Sequence, residues 1–139
     1  MRPRLAFSLL LLCFALPALA DKPVAPNSVI GTALVNAEQV VELILSTPML
    51  TVIDSRHAEE FAKGHIEGAI NLLDTYTTAE SLARHTHGKD IPLLFYCNGE
   101  RCLRSSNAAK IAVDLGYKKV YWFRGGWKEW IDKQMPVKN

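Results

Sequence analysis

The feature that most constrains the fold is an alternation of short apolar, β-branched runs with amphipathic segments along residues 28–139. This alternation is typical of an α/β domain with a mainly parallel sheet, because each parallel strand needs a crossover segment before the next one. Five runs are predicted as strands, over residues 29–35, 50–53, 69–72, 91–96 and 119–123. The fourth run, IPLLFY, is the most apolar, so we expect it at the centre of the sheet.

Capping residues predict where the intervening helices begin and end. Asn36 precedes a helix over residues 37–46, and Gln39 at its third position completes a capping box. Gly64 and Gly116 are expected to end two later helices. The remaining helices are predicted over residues 57–63, 78–85, 104 or 105 to 115, and from Gly125 and Gly126 through 131.

The first 20 residues, MRPRLAFSLLLLCFALPALA, have the composition of a secretory signal peptide. Arg2 and Arg4 precede an apolar run, and small residues stand before a predicted cleavage site at Asp21. The run is too short for a good spanning helix, so we expect no stable membrane insertion after cleavage. The sequence predicts an exported protein, periplasmic if the source is a Gram-negative bacterium.

Cleavage would leave 119 residues, which is one domain of ordinary size. Residues 21–27, DKPVAPN, are predicted as an extended leader and residues 28–139 as the folded domain. The signal contains two of the 16 basic residues and none of the 14 acidic ones, so the remaining chain has a formal net charge of zero. This balance does not indicate binding to nucleic acid or to an anionic membrane surface.

Two cysteines remain after cleavage, Cys97 and Cys102, in the segment FYCNGERCLRSSNAAK. In an exported protein two cysteines usually form one structural disulfide, although closing so short a loop would contribute little stability. Cys97 also follows a predicted strand and precedes a loop and a helix. Unpaired N–H groups at such a position favour a thiolate and attract anions. The residues alone therefore allow a structural disulfide or a reactive thiolate.

The sequence indicates neither a metal site nor a cofactor. Cys97 and Cys102 do not form a CxxC pair, and no second cysteine pair accompanies them. The four histidines lie upstream of the cysteine loop without ligand-like spacing to it, at His57, His65, His85 and His87.

Three stretches together resemble the rhodanese (sulfurtransferase) family: VIDSRHAEEFAKGHIEGAINL, the loop that begins with Cys97, and FRGGWKEW. The resemblance covers nearly all of the mature chain, in the correct order. It implies a single rhodanese-like domain with three layers, a mainly parallel five-stranded sheet flanked by helices. The matching positions are Asp54, Arg56, Glu60, Phe61, Gly64, His65, Ile66, Gly68, Ala69, Cys97, Gly125, Gly126, Trp127 and Trp130.

Most of these motif residues have structural interpretations. Asp54 is expected to accept N–H bonds from the turn after its strand, and Arg56 to pair with Glu60 across one helical turn. His65 is expected to be a hydrogen-bonded structural histidine rather than a base. The others are expected to form turns, close packing and aromatic core, at Gly125, Gly126, Trp127 and Trp130.

The resemblance implies a sulfurtransferase that moves a sulfane sulfur from a thiosulfate- or persulfide-type donor to a thiol or cyanide through a persulfide on Cys97. Backbone N–H groups of the loop would hold the anionic sulfur, and Arg101 and Arg104 would attract the donor. The expected partners are a small anionic donor, a thiol or cyanide acceptor and, as a further candidate, a protein thiol. The substrate-binding loop would comprise Asn98, Gly99, Glu100, Arg101, Cys102, Leu103 and Arg104.

This CX4C loop departs from the family pattern because it is about two residues longer than the common rhodanese loop. A phosphatase interpretation is disfavoured, since Leu103 occupies the position where those enzymes have arginine. Cys102 is a candidate resolving cysteine, which would attack a Cys97 persulfide or sulfenate and leave a disulfide. Two alternatives stay open: a non-catalytic rhodanese-like binding module, and a thiol oxidoreductase that cycles this disulfide. The physiological donor and acceptor and the oligomeric state also stay open.

Overall fold

The computed structural model describes residues 20–139, so all but the last residue of the predicted signal peptide lie outside the described residues. The strands are β1 (Thr32–Leu34), β2 (Thr51–Asp54), β3 (Ile70–Asn71), β4 (Leu93–Tyr96) and β5 (Val120–Phe123). The helices are α1 (Ala37–Ser46), α2 (Ala58–Lys63), α3 (Ala79–Ala83), α4 (Arg104–Asp114) and α5 (Gly126–Asp132), with a short 3-10 helix over Asp74–Tyr76. Within residues 20–139, no helix combines the length and apolarity needed to cross a membrane.

The five strands form one parallel sheet in the order β1-β5-β4-β2-β3. The predicted α/β class and the central position of β4 are therefore confirmed. At the carboxyl edge of the sheet, Tyr96 is in register with Asp54 on β2 and with Phe123 on β5. The segments that follow these three strands consequently begin next to one another.

Helices cover both faces of the sheet, which gives the expected three layers. Alternate residues of β4 point to opposite faces, because side chains alternate along a strand. Leu94 and Tyr96 join one apolar cluster together with Ala37, Val40 and Trp130 from α1 and α5. Leu93 and Phe95 join the other cluster, with Leu82, Ala108, Ala109 and Ala112 from α3 and α4.

The predicted elements are all present, but several boundaries differ. The first strand begins at Thr32 rather than at residue 29, because the Thr32 N–H donates to the Val29 carbonyl at 3.1 Å in a turn. Gly31 has a φ of 85° in that turn, which favours glycine. The third helix covers only Ala79–Ala83, with Thr78 as its N-cap.

The start of α1 is confirmed at the predicted position. The Gln39 N–H donates to Asn36 Oδ1, and the Asn36 N–H donates to Gln39 Oε1, both at 2.9 Å. This reciprocal pair satisfies two donors that would otherwise have no partner in the helix.

The predicted ion pair between Arg56 and Glu60 is wrong. Arg56 Nη2 instead lies 2.6 Å from Asp54 Oδ2, and both side chains are buried. The Asp54 carboxylate reaches Arg56 because it also accepts the Arg56 backbone N–H, at 2.9 Å, in the turn after β2. Glu60 lies farther along the chain and forms contacts with the cysteine loop, described below.

Further contacts complete this buried ion pair. Arg56 Nη2 donates to the Gly64 carbonyl at 2.7 Å, and the guanidinium lies 4.3 Å from the centre of the Trp127 ring. The Tyr96 hydroxyl donates to Asp54 Oδ2 at 2.6 Å. Burial and the neighbouring Asp54 carboxylate raise the pKa of Tyr96, so its hydroxyl remains a donor.

We predict that Arg56→Met lowers the free energy of unfolding by about 3–5 kcal/mol, because it leaves the Asp54 carboxylate buried without its partner. Arg84→Met is the matched control, since Arg84 forms an exposed ion pair with Glu80 and should change stability by less than about 0.5 kcal/mol. Urea unfolding of both variants, in the same cysteine oxidation state, measures the difference. Equal, small losses would contradict this assignment.

Candidate functional site

The cysteine loop begins where the central strand ends. Cys97 directly follows β4 and is fully buried, and residues 98–103 lead from it to α4. The structure joins Cys97 to Cys102 in a disulfide with a Cα–Cα distance of 6.2 Å. A turn in which the Cys102 N–H donates to the Gly99 carbonyl at 3.0 Å brings the two cysteines together.

The loop has several backbone donors without acceptors. Among residues 20–139, no atom accepts a hydrogen bond from the backbone N–H groups of Asn98, Gly99, Glu100, Arg101 or Leu103. The first turn of α4 follows directly, with the positive end of its dipole at the loop. The surroundings of Cys97 and Cys102 therefore favour a bound anion.

The start of α5 packs against the other side of the loop. The Trp127 N–H donates to the Cys97 carbonyl at 2.7 Å, and the Lys128 N–H donates to the Asn98 carbonyl at 2.9 Å. Gly126 has a φ of 56°, and a Cβ there would collide with the Cys97 carbonyl. A Cβ on Gly125 would collide with the Glu129 carboxylate. Gly126 is thus needed for this close approach, whereas Gly125 leaves room for the Glu129 side chain.

Arg104 is held beside the loop by two contacts. Its Nε donates to the Ser55 carbonyl at 3.1 Å, and its Nη2 lies 3.7 Å from Glu60 Oε2. Glu60 also accepts the Asn98 side-chain amide at 2.8 Å. Burial opposes ionisation of Glu60, but the hydrogen bonds from Asn98 and the His57 N–H and the nearby arginines lower its pKa. Arg104 therefore faces a carboxylate that stays charged.

Arg101 has a different environment. Its side chain is exposed, and its Nη1 donates a hydrogen bond to the Lys22 carbonyl at 3.4 Å. Within the described part of the chain, Arg101 forms no ion pair with a carboxylate. Its positive charge is therefore uncompensated at the rim of the loop.

Two predicted motif residues form their contacts outside the cysteine loop. His65 Nδ1 lies 3.0 Å from the Phe61 carbonyl, and the two rings stack with centroids 3.8 Å apart. Trp130 is buried in the core, and its Nε1 donates to the Pro136 carbonyl at 2.8 Å. These contacts match a structural role for both side chains.

A groove of about 930 Å³ opens between the loop and α5. Cys102 lines this groove, whereas Cys97 does not. The groove is lined by Pro23, Asn98, Gly99, Glu100, Arg101, Cys102, Leu103, Arg104, Gly125, Lys128, Glu129, Asp132 and Lys133.

Among residues 20–139, no group of three or more His, Cys, Asp and Glu side chains is arranged to hold a metal ion.

Arg124, which was not predicted from the sequence, links three parts of the site. Its Nη1 lies 2.6 Å from Glu100 Oε1 in the loop, and its Nε donates to the Pro26 carbonyl at 2.8 Å. Its Nη2 donates to the Ala25 carbonyl at 3.1 Å. One signal was available, because Arg124 directly follows β5 and the ends of parallel strands meet at the edge where ligands bind.

The predicted leader, residues 21–27, contains no helix or strand but lies against the domain. The Ala25 N–H donates to the Glu100 carbonyl at 2.7 Å, and the Ala25 side chain is buried in a small cluster with Val29 and Trp122. The segment therefore forms one wall of the cysteine site.

Ser55 is a second residue that was not predicted from the sequence. Its buried hydroxyl has no hydrogen-bond partner within residues 20–139.

We predict that Arg124→Ala increases amide hydrogen exchange about tenfold at Ala25, because the Ala25 N–H joins residues 22–27 to the cysteine loop by donating to the Glu100 carbonyl. Arg124 holds both of these segments, and each hydrogen bond lost contributes about 1 kcal/mol. Arg124→Lys should give a smaller increase, since it retains the charge opposite Glu100. Lys118→Ala, which removes an exposed ion pair with Asp90, is the control and should leave both segments unchanged. Unaltered exchange in Arg124→Ala would show that Arg124 does not hold these segments.

Comparisons with known proteins agree with this geometry. The Rhodanese-like domain family matches residues 36–133. Over 122 residues the chain is 35% identical to an HTH-type transcriptional regulator of Mycobacterium tuberculosis, a match that covers 86% of this chain and 51% of the regulator. Over 81 residues it is 33% identical to thiosulfate sulfurtransferase GlpE of Shewanella oneidensis, covering 57% of this chain and 73% of that protein.

The fold also matches the polysulfide-sulfur transferase of Wolinella succinogenes, with a TM-score of 0.63 and 18% identity over 78% of this chain and 79% of that chain. The chain spans about half the length of the regulator, and the relatives include proteins with different functions. The family match extends over most of the chain and includes the cysteine loop, β5 and α5. The chain therefore belongs to the rhodanese-like domain family.

Proposed function

We propose that the protein is a sulfurtransferase in which Cys97 carries a sulfane sulfur as a persulfide. The observation that carries the proposal is the position of Cys97, at the end of the central strand and before a loop whose backbone donors are unpaired. Such preorganised N–H groups stabilise an anionic sulfur and need no reorganisation during the reaction. The sulfurtransferase names of two similar proteins give further support.

The proposed transfer balances in two steps and uses no cofactor. The Cys97 thiolate attacks the outer sulfur of thiosulfate, the S–S bond of the donor breaks, and sulfite leaves with the bonding electrons. Cyanide or a thiolate then attacks the outer sulfur of the Cys97 persulfide. Thiocyanate or a new persulfide leaves, and the Cys97 thiolate is restored. A persulfide-type donor would react in the same way, with a thiolate as the leaving group.

The charges around the loop suit an anionic donor. Arg101 is exposed and uncompensated within residues 20–139, so it attracts an approaching dianion. Arg104 is positioned by the Ser55 carbonyl and is partly neutralised by Glu60. We propose that Arg101 assists donor approach and that Arg104 stabilises the departing sulfite.

The disulfide sets a condition on this chemistry. While Cys97 is bonded to Cys102, it has no thiolate with which to attack a donor. Two electrons must first reduce the bond, and they come from two external thiols that are oxidised to one disulfide. Sulfur transfer is thus proposed for the reduced protein.

The same disulfide supports a second candidate function, that of a thiol oxidoreductase. In that case Cys97 and Cys102 would cycle between the disulfide and two thiols, passing two electrons between external thiols. The two functions differ in their need for Cys102. Transfer needs one cysteine, whereas disulfide cycling needs both.

We predict that Cys97→Ser lowers thiocyanate formation from thiosulfate and cyanide by about a thousandfold or more, because the attacking sulfur is lost. The measurement uses reduced protein, with mass spectrometry for a 32 Da persulfide adduct on Cys97. Cys102→Ser, the matched control, should retain most of the rate and the adduct. Transfer that persists in Cys97→Ser would contradict the proposal, and transfer lost in Cys102→Ser would favour the oxidoreductase.

We also propose that the protein is exported, and periplasmic in a Gram-negative cell. When the full chain is expressed in such a host, the protein recovered from the periplasmic fraction should have the intact mass of a chain that begins at Asp21. Ala20→Arg places a large charged residue before the predicted cleavage bond and should leave the precursor uncleaved. Recovery of the uncleaved wild-type chain from the cytoplasm would contradict export.

A further inference from the structure

The two cysteines of the disulfide differ in their exposure. Cys97 is 0% exposed, whereas Cys102 is 8% exposed and lines the groove. A thiolate reduces a disulfide by attacking one of its two sulfurs, and access decides which sulfur is attacked. An incoming thiol therefore reaches the bond through Cys102.

The backbone around Cys97 is suited to attack on the Cys102 sulfur. When Cys102 is attacked, Cys97 must leave as a thiolate. Cys97 is followed by backbone N–H groups without acceptors among residues 20–139, and these favour the charged form of sulfur. A better stabilised thiolate leaves faster. The loop can therefore hold Cys97 as a leaving thiolate, and access decides which of the two sulfurs is attacked.

The groove indicates the class of thiol. Its volume of about 930 Å³ is much larger than a small inorganic anion requires and suits a peptide-sized ligand. Lys128 is paired with Asp132, and Lys133 with Glu38, so that each of these ion pairs is close to electrically neutral. Arg101, directly before Cys102 in the chain, forms no ion pair within residues 20–139 and is available to a carboxylate of the ligand.

We propose that Cys102 is the entry point for a peptide-sized thiol that carries a carboxylate, and that attack on the Cys102 sulfur frees Cys97 as the thiolate. In the first step the thiol loses its proton to solvent and its sulfur bonds to Cys102, while the Cys97–Cys102 bond breaks and both of its electrons leave with Cys97. A second thiolate attacks the sulfur of the bound thiol. Cys102 then leaves as a thiolate, so that two thiols are oxidised to one disulfide and the protein receives two electrons.

This order of events makes Cys102 a gate on the nucleophile. The role of Cys102 as a gate rests on the proposed sulfur transfer. The direction of attack on the disulfide does not, because it is independent of whether Cys97 later carries sulfur. The gate adds a reductive half-reaction and a thiol substrate to the site.

The experiment maps the first adduct. Oxidised mature protein is mixed with reduced glutathione, quenched at short times with excess N-ethylmaleimide, and digested with trypsin. Cleavage after Arg101 separates Cys97 from Cys102, so each cysteine is read in its own peptide. We expect glutathione on Cys102 and maleimide on Cys97. Glutathione mainly on Cys97, or equally on both, would overturn the proposed direction of attack.

A second arm tests recognition of the carboxylate. Arg101→Gln should lower the rate of reduction by glutathione, relative to the neutral thiol 2-mercaptoethanol, about threefold, as expected for losing one charge near the surface. Arg84→Gln removes a charge that does not line the groove and should leave the ratio unchanged. An unchanged ratio in Arg101→Gln would overturn the role of the carboxylate. If reduced protein forms no thiocyanate while glutathione is still found on Cys102, the proposed sulfur transfer is wrong and Cys102 remains the entry point for the thiol.

Discussion

The cysteine site depends on the close approach of two backbones, those of Cys97 and of the first turn of α5. The Trp127 N–H reaches the Cys97 carbonyl at 2.7 Å because residue 126 has no Cβ. The same helix places Glu129 Oε1 2.9 Å from the Ala37 N–H, so α5 also contacts the start of α1. Gly126 therefore allows α5 to hold the end of the central strand and the loop after it, and Gly125 leaves room for the Glu129 carboxylate that contacts α1.

Beneath the loop lies a polar network that must remain satisfied because it is buried. Asp54 accepts from Arg56 and from the hydroxyl of Tyr96, the residue directly before Cys97. Removing water from these charges is costly, and only the complete set of contacts offsets the cost. The loop consequently starts from a strand end whose position has little freedom, as the proposed binding of an anionic sulfur would require.

Local signals in the sequence predicted the elements, whereas contacts between distant segments remained hidden. The capping box at Asn36 spans three residues, and the apolar run before Cys97 identifies the central strand by composition alone. The partner of Arg56 was misassigned because a helical spacing to Glu60 suggested one pair and a turn after β2 produced another. Arg124 contacts Ala25 from 99 positions away, and no periodicity encodes such a contact. The cysteine loop and the glycine turn beside it could therefore be located in the sequence, whereas Arg124 and the buried partner of Arg56 could not.

The disulfide contributes less to the position of the loop than the surrounding hydrogen bonds do. It joins residues only five positions apart, so the chain-entropy relation assigns it about 2 kcal/mol, less than the value for longer loops. The loop backbone is meanwhile held at Cys97 and Asn98 by α5 and at Glu100 by the Ala25 N–H. These hydrogen bonds do not involve either sulfur, so breaking the S–S bond leaves them in place. A disulfide in such a loop can open and close without unfolding the domain, which separates its chemistry from the stability of the fold.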